Sequence, residues 1–151
     1  MGQKALLVGS SGGHLLQLLR AKDALPDWEL VWVCFRKPDA TYFLRDYRVY
    51  WCHYPTTRNY WNLLRNTIQA VTVLRREKPD VIISSGAGVA IPYFYLGKLL
   101  RKKTIYIESF TRVTSKSLTG RAVYPVTDLF CVQWESMIHL YPKAKMIGRL
   151  P

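Results

Sequence analysis

A parallel α/β sheet with helices on both faces is the fold class predicted for this chain, on three observations. Short apolar runs alternate with segments of helical periodicity along all 151 residues. Those runs lack the polar alternation of a half-exposed sheet, which marks strands covered on both sides. Two glycine-rich turns, residues 9–14 and 84–88, each join an apolar run to a helical segment. In sheets of this class ligands bind beyond the carboxyl ends of the strands, where both turns would lie.

Residues 5–8 read as the first strand, and the helix after the glycine turn ends before Pro26. The β-rich run 28–35 is a second strand, closed by Arg36-Lys37-Pro38-Asp39. Residues 40–46 suit a short helix and 48–54 a third strand. A helical pattern runs over 60–77 and stops at Lys78-Pro79-Asp80, as proline requires. Residues 81–84 form a fourth strand, the glycine turn opens a helix reaching Leu100, and 103–108 is a fifth strand. A helix over 118–124, a strand over 128–133, a helical turn over 136–140 and a last strand over 145–147 complete the series. There is no internal repeat or linker, so residues 1–151 are read as one domain.

Composition narrows the partners. The hydrophobic fraction of 49% belongs to a folded chain, and 22 Lys and Arg against 10 Asp and Glu give a net charge of +12. A phosphorylated substrate, an anionic membrane surface and nucleic acid are the candidates for such an excess. No recognisable nucleic-acid motif accompanies it. Cys34, Cys52 and Cys131 stand alone, without zinc spacing, as in a reducing compartment. No signal-peptide pattern opens the chain and no apolar run reaches the ~20 residues of a membrane span. A peripheral or cytosolic protein is expected.

The segment Ser10-Ser11-Gly12-Gly13-His14 carries the most chemistry. A strand, a tight turn and a helix N-terminus converge unpaired N–H groups and the helix dipole on one point, which suits an anion. His14 adds a titratable group beside it. The turn is neither a Walker motif nor a G-x-G-x-x-G fingerprint, so ordinary loop chemistry and a structural histidine remain open. A second turn, Ser84-Ser85-Gly86-Ala87-Gly88, should open on the same sheet edge, and two such loops could grip a diphosphate. Glu108 ends a buried strand at that edge. It is read either as a general base or hydroxyl ligand, or as an N-cap or partner of Arg112.

Within residues 58–71, Trp61, Leu64, Ile68 and Val71 fall at helical spacing. Such a stripe faces either the core or, with Tyr60 and Trp61 beside basic Arg58 and Arg65, a membrane interface. Tyr93-Phe94-Tyr95-Leu96 with Lys98 and Arg101-Lys102-Lys103 is a second aromatic and basic surface.

Three blocks carry a family resemblance: Ser10-Ser11-Gly12-Gly13-His14, Lys78-Pro79-Asp80-Val81-Ile82-Ile83-Ser84-Ser85-Gly86, and Ile107-Glu108-Ser109-Phe110-Thr111-Arg112-Val113. They are followed by Ser117-Leu118-Thr119-Gly120, Asp128-Leu129-Phe130-Cys131-Val132-Gln133-Trp134 and Tyr141-Pro142-Lys143-Ala144. Over nearly its whole length the chain resembles the acceptor-binding, membrane-associated subunit of split GT-B glycosyltransferases. These comprise the anchoring subunit of the eukaryotic dolichol-linked UDP-GlcNAc transferase and bacterial polysaccharide proteins of the PssD and CpsF type. It is more distantly similar to the N-terminal half of MurG-type enzymes.

The resemblance implies a Rossmann-like N-terminal half of a GT-B fold and an inverting, UDP-sugar-dependent glycosyltransferase in polysaccharide or lipid-linked oligosaccharide assembly. It implies a polyprenyl-diphosphate-sugar acceptor, a partner chain holding the UDP-sugar as donor substrate, no cofactor, no metal and no nucleic acid. Activity would require the hetero-oligomer, at the cytoplasmic face of the membrane. The alternative is a non-catalytic scaffold that recruits the catalytic subunit. The apolar N-terminal span of the eukaryotic members has no counterpart here, so membrane contact would come from amphipathic surfaces or the partner. On this reading His14 and Glu108 are catalytic. Ser10, Ser11, Gly12, Gly13, Ser85, Gly86 and Gly88 hold the acceptor diphosphate. Thr111, Arg112, Ser117, Thr119, Gln133 and Trp134 meet the acceptor or the partner, and Tyr60, Trp61, Leu64 and Arg65 meet the membrane.

Overall fold

The computed structural model describes residues 2–56 and 58–150. Strands β1 (Lys4–Val8), β2 (Glu29–Phe35), β3 (Arg48–Cys52), β4 (Val81–Ser84), β5 (Lys103–Ile107), β6 (Leu129–Val132) and β7 (Lys145–Met146) alternate with helices. The helices are α1 (Gly13–Ala21), α2 (Pro38–Phe43), α3 (Tyr60–Glu77), α4 (Ala90–Leu99) and α5 (Leu118–Val123). The strands form one sheet in the order β3-β2-β1-β4-β5-β6-β7, parallel throughout. β4 is the central strand, next to β1, and the reversal of strand order between β1 and β4 brings the loops after both strands to one crevice.

Strands β1 to β6 send alternate residues to two layers. Leu6, Val8, Ile82, Tyr106 and Phe130 pack with Ala70, Val73 and Leu74 of α3, Tyr93 and Phe94 of α4, and Val123 of α5. Leu7, Trp32, Ile83 and Ile107 pack with Leu15 and Leu18 of α1, and with Ala40 and Leu44 in and just after α2. This is the two-faced α/β sheet expected from the apolar runs. Boundaries differ in small ways: α2 starts at Pro38, where a fixed φ and an absent N–H favour a first helical turn. β3 ends at Cys52, because residues 53–55 turn away to bond with α3.

That bonding fixes how α3 sits. Asn66 takes the His53 N–H at 2.8 Å and gives its amide to the His53 carbonyl at 2.9 Å. Asn62 donates to the Pro55 carbonyl at 2.8 Å and Gln69 to that of Trp51 at 2.9 Å. The inward face of α3 therefore starts as a column of amides, with Asn62 and Asn66 buried, and turns apolar only at Ala70, Val73 and Leu74. Trp61, Leu64 and Ile68 point outward, and Trp61 is 67% exposed. On α4, Tyr93 and Phe94 are core, while Tyr95 and Leu99, and Leu100 just after the helix, are exposed. No helix among the described residues is long and apolar enough to cross a membrane.

Candidate functional site

A cavity of about 390 Å³ opens at the carboxyl edge of the sheet. Ser10 and His14 form one side, Gly86, Ala87 and Gly88 a second, and Ser109, Thr111, Arg112, Ser117 and Thr119 a third. Thr56, Phe35, Tyr106 and Leu118 complete the lining. Both glycine turns thus reach one crevice, although 71 residues separate His14 from Ser85.

His14 is held at two points by one residue. Its Nδ1 lies 2.8 Å from the Ser85 carbonyl oxygen, and the Ser85 hydroxyl donates to the His14 carbonyl at 2.7 Å. A carbonyl only accepts, so Nδ1 carries the proton and Nε2 keeps its lone pair. Burial lowers the imidazole's pKa below its ordinary value of 6.5. The Ser85 bond and the Glu108 charge oppose that shift, and the Arg112 charge adds to it. At neutral pH the ring is a neutral base with a defined tautomer.

Gly86 makes room for this ring. Its φ is +137°, and a Cβ built on it would stand 2.4 Å from His14 Cε1 and 2.7 Å from Nδ1. The next residue, Ala87, has φ +75°. This left-handed pair turns the chain into α4. Ala87 and Gly88 line the cavity, and their N–H groups have no acceptor among the described residues. The helix dipole of α4 points there as well, with no acidic residue in its first turn. Arg112 is the cation of the lining.

The first turn is arranged differently. The Gly12 N–H donates to the Asp39 carboxylate at 2.7 Å. Ser11, Gly12 and Gly13 lie outside the cavity lining, so Ser10 and His14 are its contribution. Ser85 is fully buried and spends its hydroxyl and carbonyl on His14. These positions bear on the diphosphate-binding expectation: the glycines that line the cavity, Gly86 and Gly88, belong to the second turn.

Glu108 is 1% exposed and lies behind the lining. Its carboxylate accepts from the Ser117 hydroxyl at 2.7 Å, the Ser117 N–H at 3.2 Å, the Ser109 N–H at 3.1 Å and the Tyr141 hydroxyl at 3.1 Å. Tyr106 approaches at 3.5 Å. Ser117 in turn caps α5 by accepting the Gly120 N–H at 2.9 Å. A buried carboxylate without a bound cation needs such a set of donors. Here they organise the segment that bears Ser117 and Thr119, while Arg112 turns to Ser115 instead. Tyr141 and Tyr106, which the sequence reading did not single out as site residues, complete this ring. Gln133 is also buried, and Trp134 is half-buried against Phe110.

Tyr60, Trp61, Leu64 and Arg65 form an exposed surface at the start of α3. The amide column of α3 joins this surface to residues 53–55, next to cavity-lining Thr56.

Sheet order, crevice and paired turns define the N-terminal, Rossmann-like half of a GT-B fold. MurG from Acinetobacter baumannii superposes on it with a TM-score of 0.78 over 97% of this chain and 45% of its own, at 16% identity. A UDP-N-acetylglucosamine 2-epimerase superposes with a TM-score of 0.76 at 10% identity, so the fold alone does not select the chemistry. The chain belongs to the family described as "Oligosaccharide biosynthesis protein Alg14 like", whose model matches residues 43–150. The UDP-N-acetylglucosamine transferase subunit alg14 of Schizosaccharomyces pombe is 36% identical over 119 residues, 76% of this chain and 54% of that protein. The corresponding subunit of Candida albicans is 40% identical over 87 residues, covering 54% of this chain and 39% of its own length. The chain thus spans about half or less of the length of these relatives.

Proposed function

We propose that this chain is the acceptor-binding half of an inverting, UDP-sugar-dependent glycosyltransferase, and that it supplies the general base. The observation that carries this reading is His14: a neutral imidazole, with Nδ1 on the Ser85 carbonyl and Nε2 without a partner among the described residues, beside a helix N-terminus that suits an anion. A polyprenyl-diphosphate-sugar places its diphosphate on the Ala87 and Gly88 amides, with Arg112 and Ser10 as further ligands. The acceptor hydroxyl then gives its proton to His14 Nε2 as its oxygen bonds to the donor's anomeric carbon. The bond from that carbon to UDP breaks and UDP leaves with the electron pair, held by a partner chain. Glu108 supports this geometry from behind rather than taking the proton. The names of the family relatives support a transferase subunit that works with another chain.

The lipid tail and the exposed face of α3 share one side of the molecule in this reading. Tyr60, Trp61 and Leu64 enter the headgroup layer at the cytoplasmic face while Arg65 meets anionic lipid. The test is sedimentation with anionic vesicles containing a polyprenyl-diphosphate-sugar. The chain should co-sediment, and Trp61→Ser with Leu64→Ser should together weaken binding about thirtyfold or more, since each loses apolar area worth about 1 kcal/mol or more. Their thermal unfolding should stay near that of the unmodified chain, because both side chains are exposed. Undiminished vesicle binding would contradict the assignment of this face.

A further inference from the structure

Gln133 and Trp134 do not line the cavity, yet they touch most of what positions it. The Gln133 amide donates to Gln17 Oε1 at 2.8 Å and to the Glu108 carbonyl at 3.0 Å, and its own oxygen accepts the Leu150 N–H at 2.6 Å. Gln133 is 1% exposed and Gln17, one helical turn beyond His14, is 6% exposed. The neighbouring Trp134 donates its indole N–H to the Phe110 carbonyl at 2.7 Å and packs at a tilt against the Phe110 ring, centroids 5.6 Å apart. The Arg149 guanidinium also lies 4.7 Å from its ring centroid. Two adjacent side chains therefore hold the segment after β7, the 108–112 segment that lines the cavity, and the helix that carries His14.

From this geometry we infer that Gln133 and Trp134 are positioning residues for the transfer reaction. They set His14 and the Ser109–Arg112 wall in register with each other and with residues 147–150. Core packing alone would be met by an apolar side chain of similar volume, and a buried amide without all its partners would cost more than it returns. Three partners from three distant parts of the chain use this amide as a spacer. When the amide is lost, α1 and the 108–112 wall separate, water reaches the imidazole, and the burial that lowers its pKa is relieved. The inference rests on the role given to His14 above.

The experiment uses this chain with Gln133→Leu, Trp134→Phe and Gln17→Leu. Side-chain 15N spectra of His14 across pH report its tautomer and titration in the isolated protein. Gln133→Leu should raise the His14 midpoint toward the ordinary imidazole value and mix its tautomers. In the reconstituted enzyme it should lower kcat about tenfold with KM changed less than twofold, as misplacement of a reacting group does. Trp134→Phe should act in the same direction more weakly. Should Gln133→Leu fail to fold, Gln17→Leu, which removes only the α1 arm, carries the same test. A His14 titration that stays put in a folded variant, or a loss of rate that only follows the folded fraction, would overturn the inference. Transfer that persists without His14 would overturn the proposed base instead, and would leave the 15N result standing.

Discussion

Gly86→Ala should abolish most of the transfer activity while leaving the sheet intact. The added methyl would stand 2.4 Å from His14 Cε1, and the site's φ of +137° is one that side chains other than glycine rarely adopt. Either the imidazole leaves its slot or the turn rearranges. Both break the bond from Nδ1 to the Ser85 carbonyl, which selects the tautomer. A displacement of about 1 Å costs on the order of a hundredfold in rate, and losing a general base costs about 10² to 10⁴. We expect kcat to fall at least a hundredfold in the reconstituted enzyme. Gly12→Ala, also at positive φ but with open space around a Cβ, should act through local strain alone and reduce kcat far less. Equal effects of the two substitutions would show that the clash with His14 is not what matters.

Glu108→Ala should be the most destabilising single change in the site. It would leave the Ser117 hydroxyl and N–H, the Ser109 N–H and the Tyr141 hydroxyl facing a small cavity. Each buried donor without a partner costs about 1–3 kcal/mol, less where water enters. A loss of roughly 3 kcal/mol or more follows, which lowers Tm by about 10 °C for a domain of this size. Glu108→Gln is the sharper comparison, because its amide presents hydrogens to groups that already donate. It too should lower Tm, by several degrees. A Glu108→Gln protein as stable as the unmodified chain would mean that the carboxylate is not the structural centre described above. Calorimetry on the isolated chain decides this without any partner or substrate.

The contrast between His14 and Glu108 shows what could be read from the sequence. Both stood out as titratable groups after apolar strands, one beyond a glycine turn and one directly at a strand end, and the sheet edge that unites them followed from the alternation of strands and helices. All seven strands could be read in order, because buried parallel strands are continuous apolar runs bounded by glycine, proline and charge. What distinguishes a base with a free nitrogen from a carboxylate surrounded by donors is long-range pairing. His14 meets Ser85 71 positions away, and Glu108 meets Tyr141 33 positions away. Periodicity carries no trace of such pairs.

The same limit explains α3. Its apolar stripe was evident, but a stripe says which residues share a face and not what that face meets. The deciding contacts are the bonds of Asn62, Asn66 and Gln69 to residues 51–55. They give the helix a polar inner face over its first turns and leave Trp61, Leu64 and Ile68 outside. Likewise Ser85 is expected at a diphosphate as part of the second glycine turn. It is buried outside the cavity lining with its hydroxyl and carbonyl bonded to His14, and Gly86, Ala87 and Gly88 are the residues of that turn that line the cavity.

The central claim is that this chain, and not only its partner, performs chemistry on the acceptor. Single-turnover transfer by the reconstituted complex, with unmodified and His14→Gln chains at saturating acceptor, tests it most directly. Because burial holds the imidazole below its ordinary pKa, the unmodified enzyme should keep full rate at neutral pH and lose it as pH falls through that lowered value. His14→Gln should bind the partner and the acceptor normally, transfer at least a hundredfold more slowly, and lack this acid limb. Near-normal transfer by His14→Gln would contradict the account and make the chain a scaffold for a partner that carries the base itself.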